Sequence, residues 1–226
     1  MAPDLAVIVT ARNEAHCLGA TLRALREAFP GAELWVADDA SEDATATVAR
    51  AEGARVVSAA ARLGKGGAAT LAAHALLGEG DPAVLLADAD LGDSARNLQP
   101  LVDAVFAQPS APDLAIARFA RKVGGGFGIA VGSARWAIRR ATGRTMQAPI
   151  SGQRALRPGV LTQLLPFAHG FGMETGMTID ALRAGLRVEE VALDLEHRAT
   201  GKTLRGFAHR ARQARDIARA YASRRA

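Results

Sequence analysis

The chain has 226 residues, enough for one α/β domain with a sizeable core, and 49% of them are hydrophobic while 23% are charged. Its net charge is +5, and the single cysteine, Cys17, excludes an internal disulfide and a metal site built from cysteines. The first four residues are too few for a signal peptide and no run of about 18 apolar residues occurs, so we expect a cytoplasmic protein without a membrane span.

Strand and helix patterns alternate through the first 117 residues. Apolar runs predict strands at 5–10, 33–38, 55–58, 83–87 and 113–117. Helical periodicity predicts helices at 15–28, 66–77 and 94–107, and a further helix that Ser41 or Asp43 caps and that ends at residue 52. Apolar strands that alternate with helices are typical of a parallel sheet covered on both faces.

The regular alternation ends after residue 117. Residues 118–149 are rich in glycine and arginine and predict two short helices around Gly-Gly-Gly-Phe-Gly. Later patterns predict a strand at 150–155, helices near 158–165 and at 174–184, and an alternating edge strand at 186–196. The last segment predicts a helix whose apolar stripe consists of Phe207, Ala211, Ala214, Ile217, Ala218 and Tyr221. The chain contains no internal repeat or linker, which predicts a single domain.

Half of the 28 basic residues lie in two clusters. Seven fall between Arg118 and Arg144 without any acid, and seven between Arg205 and Arg225 with Asp216 as the one acid among them. Such clusters favour phosphorylated substrates, membrane surfaces or nucleic acid as partners, or they form solvated helix faces. The scarcity of aromatic residues for base stacking argues against nucleic acid.

The turn after the first strand excludes two large nucleotide-binding classes. An open parallel sheet binds its ligand beyond the carboxyl ends of its strands. Residues 10–14, Thr-Ala-Arg-Asn-Glu, contain no glycine where a nicotinamide-binding fold needs several, and the chain has no Walker motif. Dinucleotide oxidoreductases and P-loop NTPases are therefore disfavoured.

Polar residues follow three further strands. Asp38 and Asp39 can accept hydrogen bonds from a ribose or a base, and Lys65 lies between glycines at a helix start, where it can contact an anion. Asp88 and Asp90 follow the apolar fourth strand, where two acids are costly without a cation nearby. Carboxylate oxygens of this kind suit Mg²⁺ or Mn²⁺ that bridges to phosphate.

Seven short motifs occur in a specific order and spacing. They are V-I-V-T-A-R-N-E at 7–14, D-D-A-S at 38–41, G-K-G at 64–66, D-A-D at 88–90, S-G-Q-R-A at 151–155, G-F-G-M-E-T at 170–175 and A-L-R-A-G at 181–185. Over most of its length the chain therefore resembles the GT-A glycosyltransferases of family 2, and within them the polyprenyl-phosphate sugar synthases of the dolichol-phosphate mannose synthase type. The resemblance implies a GT-A fold, an α/β domain whose mostly parallel central sheet is flanked by helices. It also implies a metal-dependent hexosyltransferase that uses a UDP- or GDP-sugar with Mg²⁺ or Mn²⁺.

The resemblance assigns roles to individual residues. On the donor side it implies a nucleotide-sugar pocket formed by Thr10, Ala11, Arg12, Glu14, Asp38, Asp39, Lys65 and Asp88, with Asp88, Asp90 and His197 as metal ligands. On the acceptor side it implies contacts from Arg118, Arg121, Lys122, Ser151, Gln153, Arg154, Arg198 and Lys202, of which the last two also reach the donor phosphates. Asp90, Glu174 and Arg118 are the expected catalytic residues. For His197 a surface histidine remains the alternative, and for Glu174 a residue that only orients or caps its helix.

Two acceptors compete, and other hydroxyl acceptors remain open beside them. A polyprenyl phosphate agrees with the resemblance, and the basic C-terminal helix would then lie on the inner face of an anionic membrane. A small soluble phosphorylated acceptor, as in glucosyl-3-phosphoglycerate synthases, accounts for the same arginines. The intact Asp88 and Asp90 argue against a third reading, an inactive binding module. We expect residues 1–117 to bind the nucleotide-sugar, 118–203 to bind the acceptor, and 204–226 to form the basic C-terminal helix.

Overall fold

The computed structural model describes residues 4–107, 111–119, 128–194, 213 and 215–224. The strands are β1 (Leu5–Ala11), β2 (Glu33–Asp38), β3 (Arg55–Ser58), β4 (Ala83–Asp88), β5 (Leu114–Phe119), β6 (Arg154–Leu156) and β7 (Val188–Leu193). The helices are α1 (Ala15–Ala28), α2 (Thr45–Ala51), α3 (Lys65–Leu77), α4 (Gln99–Phe106), α5 (Gly128–Thr142), α6 (Val160–Gln163) and α7 (Met173–Arg183). Residues 215–222 form a further helix, here called the C-terminal helix.

The strands form one sheet in the order β3-β2-β1-β4-β6-β5-β7. All neighbouring pairs are parallel except those of β6, which runs antiparallel to both β4 and β5. The register places Thr10 beside Asp88 and Ala11 beside Asp38. The turns that follow β1, β2 and β4 therefore meet at one edge of the sheet, and the predicted mostly parallel GT-A sheet is confirmed.

Each face of the sheet packs against its own set of helices. Ile8 and Leu86 lie in the core that α3, α5, α7 and the C-terminal helix share. Val9 and Leu85 lie in the core formed with α1 and α4. Successive side chains of a strand point to opposite faces, so these continuous apolar strands supply both cores at once.

Several predicted element boundaries were wrong in ways that local chemistry explains. The helix predicted at 94–107 is a 3₁₀ turn (Gly92–Leu98) followed by α4, which carries Pro100 in its first turn, where proline is tolerated. Ser41 does not cap α2, because its hydroxyl accepts the Asn13 amide while Asp43 accepts that of Thr45. The described part of 118–149 contains a single helix, α5, which runs through Gly132. The strand predicted from residue 150 begins only at Arg154.

The C-terminal helix packs on α5 and α7. Ile217 and Tyr221 are buried as predicted, whereas Ala218 is exposed and Ala220 is buried instead. Arg224 pairs with Asp180 of α7, with Nη2 2.6 Å from Oδ2. The predicted contributions of Phe207, Ala211 and Ala214 lie outside the described residues. Within the described segments, no helix combines the length and apolarity needed to cross a membrane.

Gly66 marks a contact between backbones that no side chain can enter. A Cβ atom built on it overlaps the carbonyl oxygen of Ala168, so alanine must displace backbone. We expect Gly66→Ala to lower the free energy of unfolding by about 1–3 kcal/mol, as overpacking does. Gly132→Ala is the matched control, because a Cβ there has no neighbour within 4 Å on an exposed helical site, and it should stabilise by about 0.5–1 kcal/mol. Urea titration measures both, and equal stability of the two variants would contradict the predicted contact.

Candidate active site

Asp88 is the centre of the polar cluster at this edge of the sheet. It ends β4, and its Oδ1 accepts hydrogen bonds from Lys65 Nζ (2.5 Å) and Thr10 Oγ1 (3.5 Å). Its Oδ2 accepts from Gln153 Nε2 (2.7 Å). The carboxylate is therefore held in one orientation by donors that come from β1, α3 and the segment before β6.

Lys65 connects Asp88 to Glu174. Its Nζ lies 2.7 Å from Glu174 Oε1, so the first residue of α3 and the second residue of α7 form an ion pair. Burial is the largest influence on the ammonium and lowers its pKa, but the charges of Asp88 and Glu174 outweigh it and raise the pKa of Lys65 above its ordinary value. Lys65 is therefore a fixed positive charge between two carboxylates.

Gly152 lies directly against this ion pair. A Cβ atom on it would be 2.5 Å from both Asp88 Oδ2 and Lys65 Nζ. A side chain at this position would have to displace both charged groups, so the glycine of the S-G-Q-R motif allows the ion pair to lie where it does.

Two predicted acceptor contacts, Gln153 and Arg154, need correction. Both side chains are fully buried, so neither reaches an acceptor directly. Gln153 orients Asp88, and Arg154 donates to Ser151 O (2.9 Å) and Thr178 Oγ1 (3.0 Å). Burial lowers the pKa of Arg154 to about 10, although Glu174 and other nearby carboxylates act in the opposite direction. These two residues hold the neighbouring groups of the site in place, and Ser151 is buried beside them.

Asp38 and Asp39 bind the turns around the predicted nucleoside pocket. Asp38 accepts from Ser41 N and Ser58 Oγ, both at 3.1 Å. Asp39 accepts from Leu63 N (2.6 Å) and Gly64 N (3.0 Å), immediately before Lys65. Both aspartates are almost entirely buried, which makes them scaffold for the turns after β2 and β3. Their contact with a base or ribose stays a prediction.

Arg12 and Glu14 extend from the turn after β1. Arg12 Nη1 donates to Asp39 O (2.7 Å), which ties this turn to the one after β2. Glu14 precedes α1, and its Oε2 accepts from Cys17 Sγ (3.1 Å). Ala11 ends β1 and is buried, so it can contribute only a small surface at the rim of a pocket.

Asp90 lies in the turn two residues beyond the end of β4 and is half-buried, like Asp88. Two carboxylates at the open edge of a sheet are the oxygen ligands that Mg²⁺ or Mn²⁺ prefers, so this donor set fits the expected metal. Another group of possible ligands, which the sequence reasoning missed, consists of Glu14, His16 and Cys17, whose ligand atoms lie within 4.8 Å of one another. Their closeness in sequence was the available signal.

The remaining predicted residues divide into one that is described and five that are not. Arg118 is half-buried on β5 and follows Leu114 and Ile116 on the sheet face covered by α5 and α7. The others, Arg121, Lys122, His197, Arg198 and Lys202, lie outside the described residues, and their roles stay predictions.

The fold is that of a glycosyltransferase. The model of glycosyl transferase family 2 matches residues 6–152, more than half of the chain, and the chain belongs to that family. Among solved structures it is similar to glucosyl-3-phosphoglycerate synthase from Mycobacterium tuberculosis in complex with phosphoglyceric acid. The TM-score is 0.80 at 27% sequence identity, over 99% of this chain and 80% of that one.

Two further structures of that synthase carry donor-side ligands. The complex with Mn²⁺, UDP and glucosyl-3-phosphoglycerate matches with a TM-score of 0.79 and 27% identity, over 99% of this chain and 80% of that one. The complex with Mg²⁺ and UDP matches with a TM-score of 0.78 and 25% identity, over 99% and 79%. Among curated proteins, none matches the chain.

Proposed function

We propose that this glycosyltransferase moves a sugar from a UDP-sugar, with Mn²⁺ or Mg²⁺, to a small phosphorylated alcohol of the phosphoglycerate type. The observation that supports it best is the likeness over 99% of the chain to a synthase bound to UDP, Mn²⁺ and a phosphorylated sugar product. The sequence analysis favoured polyprenyl phosphate as the acceptor and gave a small soluble phosphorylated acceptor as the alternative. This proposal adopts the alternative.

The donor side of the proposal rests on the edge of the sheet formed by β1, β2 and β4. Asp88 and Asp90 would hold a divalent cation, which when bound neutralises the charge that develops on the departing diphosphate. Lys65 adds a second positive charge at a fixed place, because Asp88 and Glu174 hold its ammonium between them. A hydrogen bond from Arg12 to the backbone oxygen of Asp39 joins the turns after β1 and β2, and these two turns would form the nucleoside side of the pocket.

The acceptor side of the proposal needs a base. When an alcohol attacks, its oxygen bonds to the anomeric carbon, the bond from that carbon to the diphosphate breaks, and the hydroxyl proton must leave. Besides Asp88, Glu174 is the carboxylate at the cluster; it lies 2.7 Å from Lys65, and its side chain is buried apart from the 6% of its surface that stays exposed. We assign to it the acceptance of that proton, and to Arg118, Arg121 and Lys122 the binding of the acceptor phosphate.

Transfer assays with separated acceptors test the proposal. The purified chain with Mn²⁺ is given UDP-glucose, UDP-galactose, UDP-N-acetylglucosamine or GDP-mannose, and either 3-phosphoglycerate or a detergent-dispersed polyprenyl phosphate. We expect UDP release and a glycosylated phosphoglycerate by mass spectrometry. Transfer to the polyprenyl phosphate alone would overturn the proposal and restore the lipid acceptor.

Arg118→Ala should separate the two substrates. Loss of a charge-assisted contact to phosphate is worth about 1.5–3 kcal/mol, so we expect the acceptor KM to rise about tenfold or more while UDP affinity stays unchanged. Arg96→Ala is the control, since Arg96 is an exposed arginine that pairs with Glu27 at 2.8 Å. Steady-state kinetics and calorimetry measure the two effects. An equal loss of donor and acceptor binding would place Arg118 elsewhere in the mechanism.

A membrane-bound acceptor is the second candidate, and one surface favours it. Trp136 is 58% exposed beside Arg139 and Arg140, above a groove of about 390 Å³ between α5 and the C-terminal helix. Exposed tryptophan with arginine is typical of membrane interfaces. Because Trp35, the other tryptophan, is buried, a blue shift of emission with anionic vesicles that Trp136→Phe abolishes would support membrane contact. No shift at low salt would exclude it.

A further inference from the structure

The C-terminal helix is in direct contact with the 3₁₀ turn (Gly170–Gly172) that precedes α7. Asp216 Oδ2 accepts a hydrogen bond from Phe171 N at 3.3 Å, while its Oδ1 faces Arg215. A Cβ atom on Gly172 would lie 2.7 Å from the backbone oxygen of Asp216 and 2.8 Å from Ala220 Cβ. The helix and the turn therefore touch without room for a side chain between them.

The opposite side of the same segment packs on the start of α3. A Cβ atom on Gly66 would overlap Ala168 O, and one on Gly64 would lie 3.0 Å from Gly170 Cα. Gly64 and Gly170 also have positive φ values of 77° and 57°, which only glycine adopts at low cost. Residues 168–172 are thus enclosed between the first turn of α3 and the C-terminal helix.

The two helices joined through this segment carry the charged pair of the site. Lys65 follows Gly64 as the first residue of α3, and Glu174 is two residues beyond Gly172. Their 2.7 Å ion pair depends on how closely the first turns of α3 and α7 approach each other. That approach is set by the segment between them, because backbone contacts allow little adjustment.

We propose that the C-terminal helix is a positioning element of the active site, and that Asp216 is its positioning residue. By accepting the Phe171 amide, Asp216 holds the turn that begins α7 and so fixes the Glu174 carboxylate against Lys65 and Asp88. The assignment rests on the proposed role of Glu174. Asp216 lies outside residues 6–152, the part of the chain that the family model matches.

A second anchor, just beyond the end of the same helix, provides a matched control. Arg224 donates from Nε and Nη2 to the carboxylate of Asp180, toward the other end of α7. Arg224→Ala removes the anchor near the far end of α7 and leaves the hydrogen bond between Asp216 and Phe171 N in place. Asp216→Ala removes the acceptor for Phe171 N, while Asp216→Asn keeps an oxygen that can accept the same bond.

Kinetics and hydrogen exchange test the proposal together. Because misplacement of a reacting group by about 1 Å costs up to about a hundredfold, we expect kcat of Asp216→Ala to fall about ten- to hundredfold with both KM values within twofold. Asp216→Asn should recover most of kcat, and Arg224→Ala should retain it despite an equal or larger fall in Tm. Amide exchange at 171–175 should accelerate in Asp216→Ala and not in Arg224→Ala.

Two results would overturn the positioning role. One is a loss of kcat in Arg224→Ala as large as that in Asp216→Ala, which would mean general destabilisation. The other is unchanged exchange at 171–175 in Asp216→Ala. The kinetic comparison can use any measurable turnover of a nucleotide-sugar, including hydrolysis. Inactivity toward phosphoglycerate would overturn the proposed function, whereas the exchange measurement would still decide whether Asp216 has the positioning role.

Discussion

Asp90→Ala should reduce turnover by about three orders of magnitude or more and remove the dependence of UDP binding on Mn²⁺. A metal that stabilises the leaving diphosphate contributes several kcal/mol to the transition state, and about 1.4 kcal/mol corresponds to a factor of ten in rate. Asp90 is the better probe of the two acids. Asp88 also takes part in the contacts with Lys65 and Gln153, so its removal would disturb the cluster itself.

Calorimetry of UDP with and without Mn²⁺ measures the coupling for Asp90→Ala. Asp93→Ala is the control, because Asp93 lies three residues further on and pairs with Arg96 at an exposed position. It should retain wild-type turnover and metal dependence. If Asp90→Ala still binds UDP more tightly with Mn²⁺ than without it, the assignment of Asp90 as a ligand is wrong.

Glu174→Gln should lower kcat by about 10²–10⁴ if the acceptor is an alcohol, since general-base catalysis contributes about that much. The amide oxygen of glutamine can still accept from Lys65, so we expect a folded protein that binds both substrates normally. A phosphate acceptor is already anionic and needs no base. Retention of most activity in this variant would show that Glu174 is not the base, and the transfer assay with separated acceptors would then decide between the alcohol and a polyprenyl phosphate.

The measurement is a steady-state titration of each substrate, with thermal unfolding as the check on folding. Glu189→Gln is a suitable control, because Glu189 is an exposed glutamate on the edge strand β7. A control that loses as much activity as Glu174→Gln would show that the assay responds to surface charge and not to the base.

The first half of the fold could be predicted almost residue by residue. In β1, β2 and β4 the apolar runs are buried and end at polar turns, so hydrophobicity alone marks both their position and their ends. The secondary structure after residue 117 was harder to predict. The glycine-rich composition suggested breaks that α5 does not contain at Gly132, and β6 is three residues long in an antiparallel position that no local pattern reveals.

The candidate site was predicted as separate residues and not as a cluster. Lys65, Asp88 and Glu174 were each selected, but the position of Lys65 between the two acids depends on the packing of α3 against α7. Gln153 and Arg154 were assigned to the acceptor side by the family resemblance of the S-G-Q-R motif, which carries no information on burial. Their burial follows from the insertion of β6 between β4 and β5, which is a property of the tertiary structure.

The position of β6 in the sheet determines whether the chain can be cut into separately folded donor-binding and acceptor-binding fragments. The strand comes from residues 154–156, yet it supplies the hydrogen-bonding partner of both β4 and β5. A fragment that ended at residue 150 would leave β4 and β5 with open inner edges, which invite aggregation. A donor-binding fragment cannot be excised, and exchanging acceptor specificities between relatives requires grafting loops onto an intact sheet.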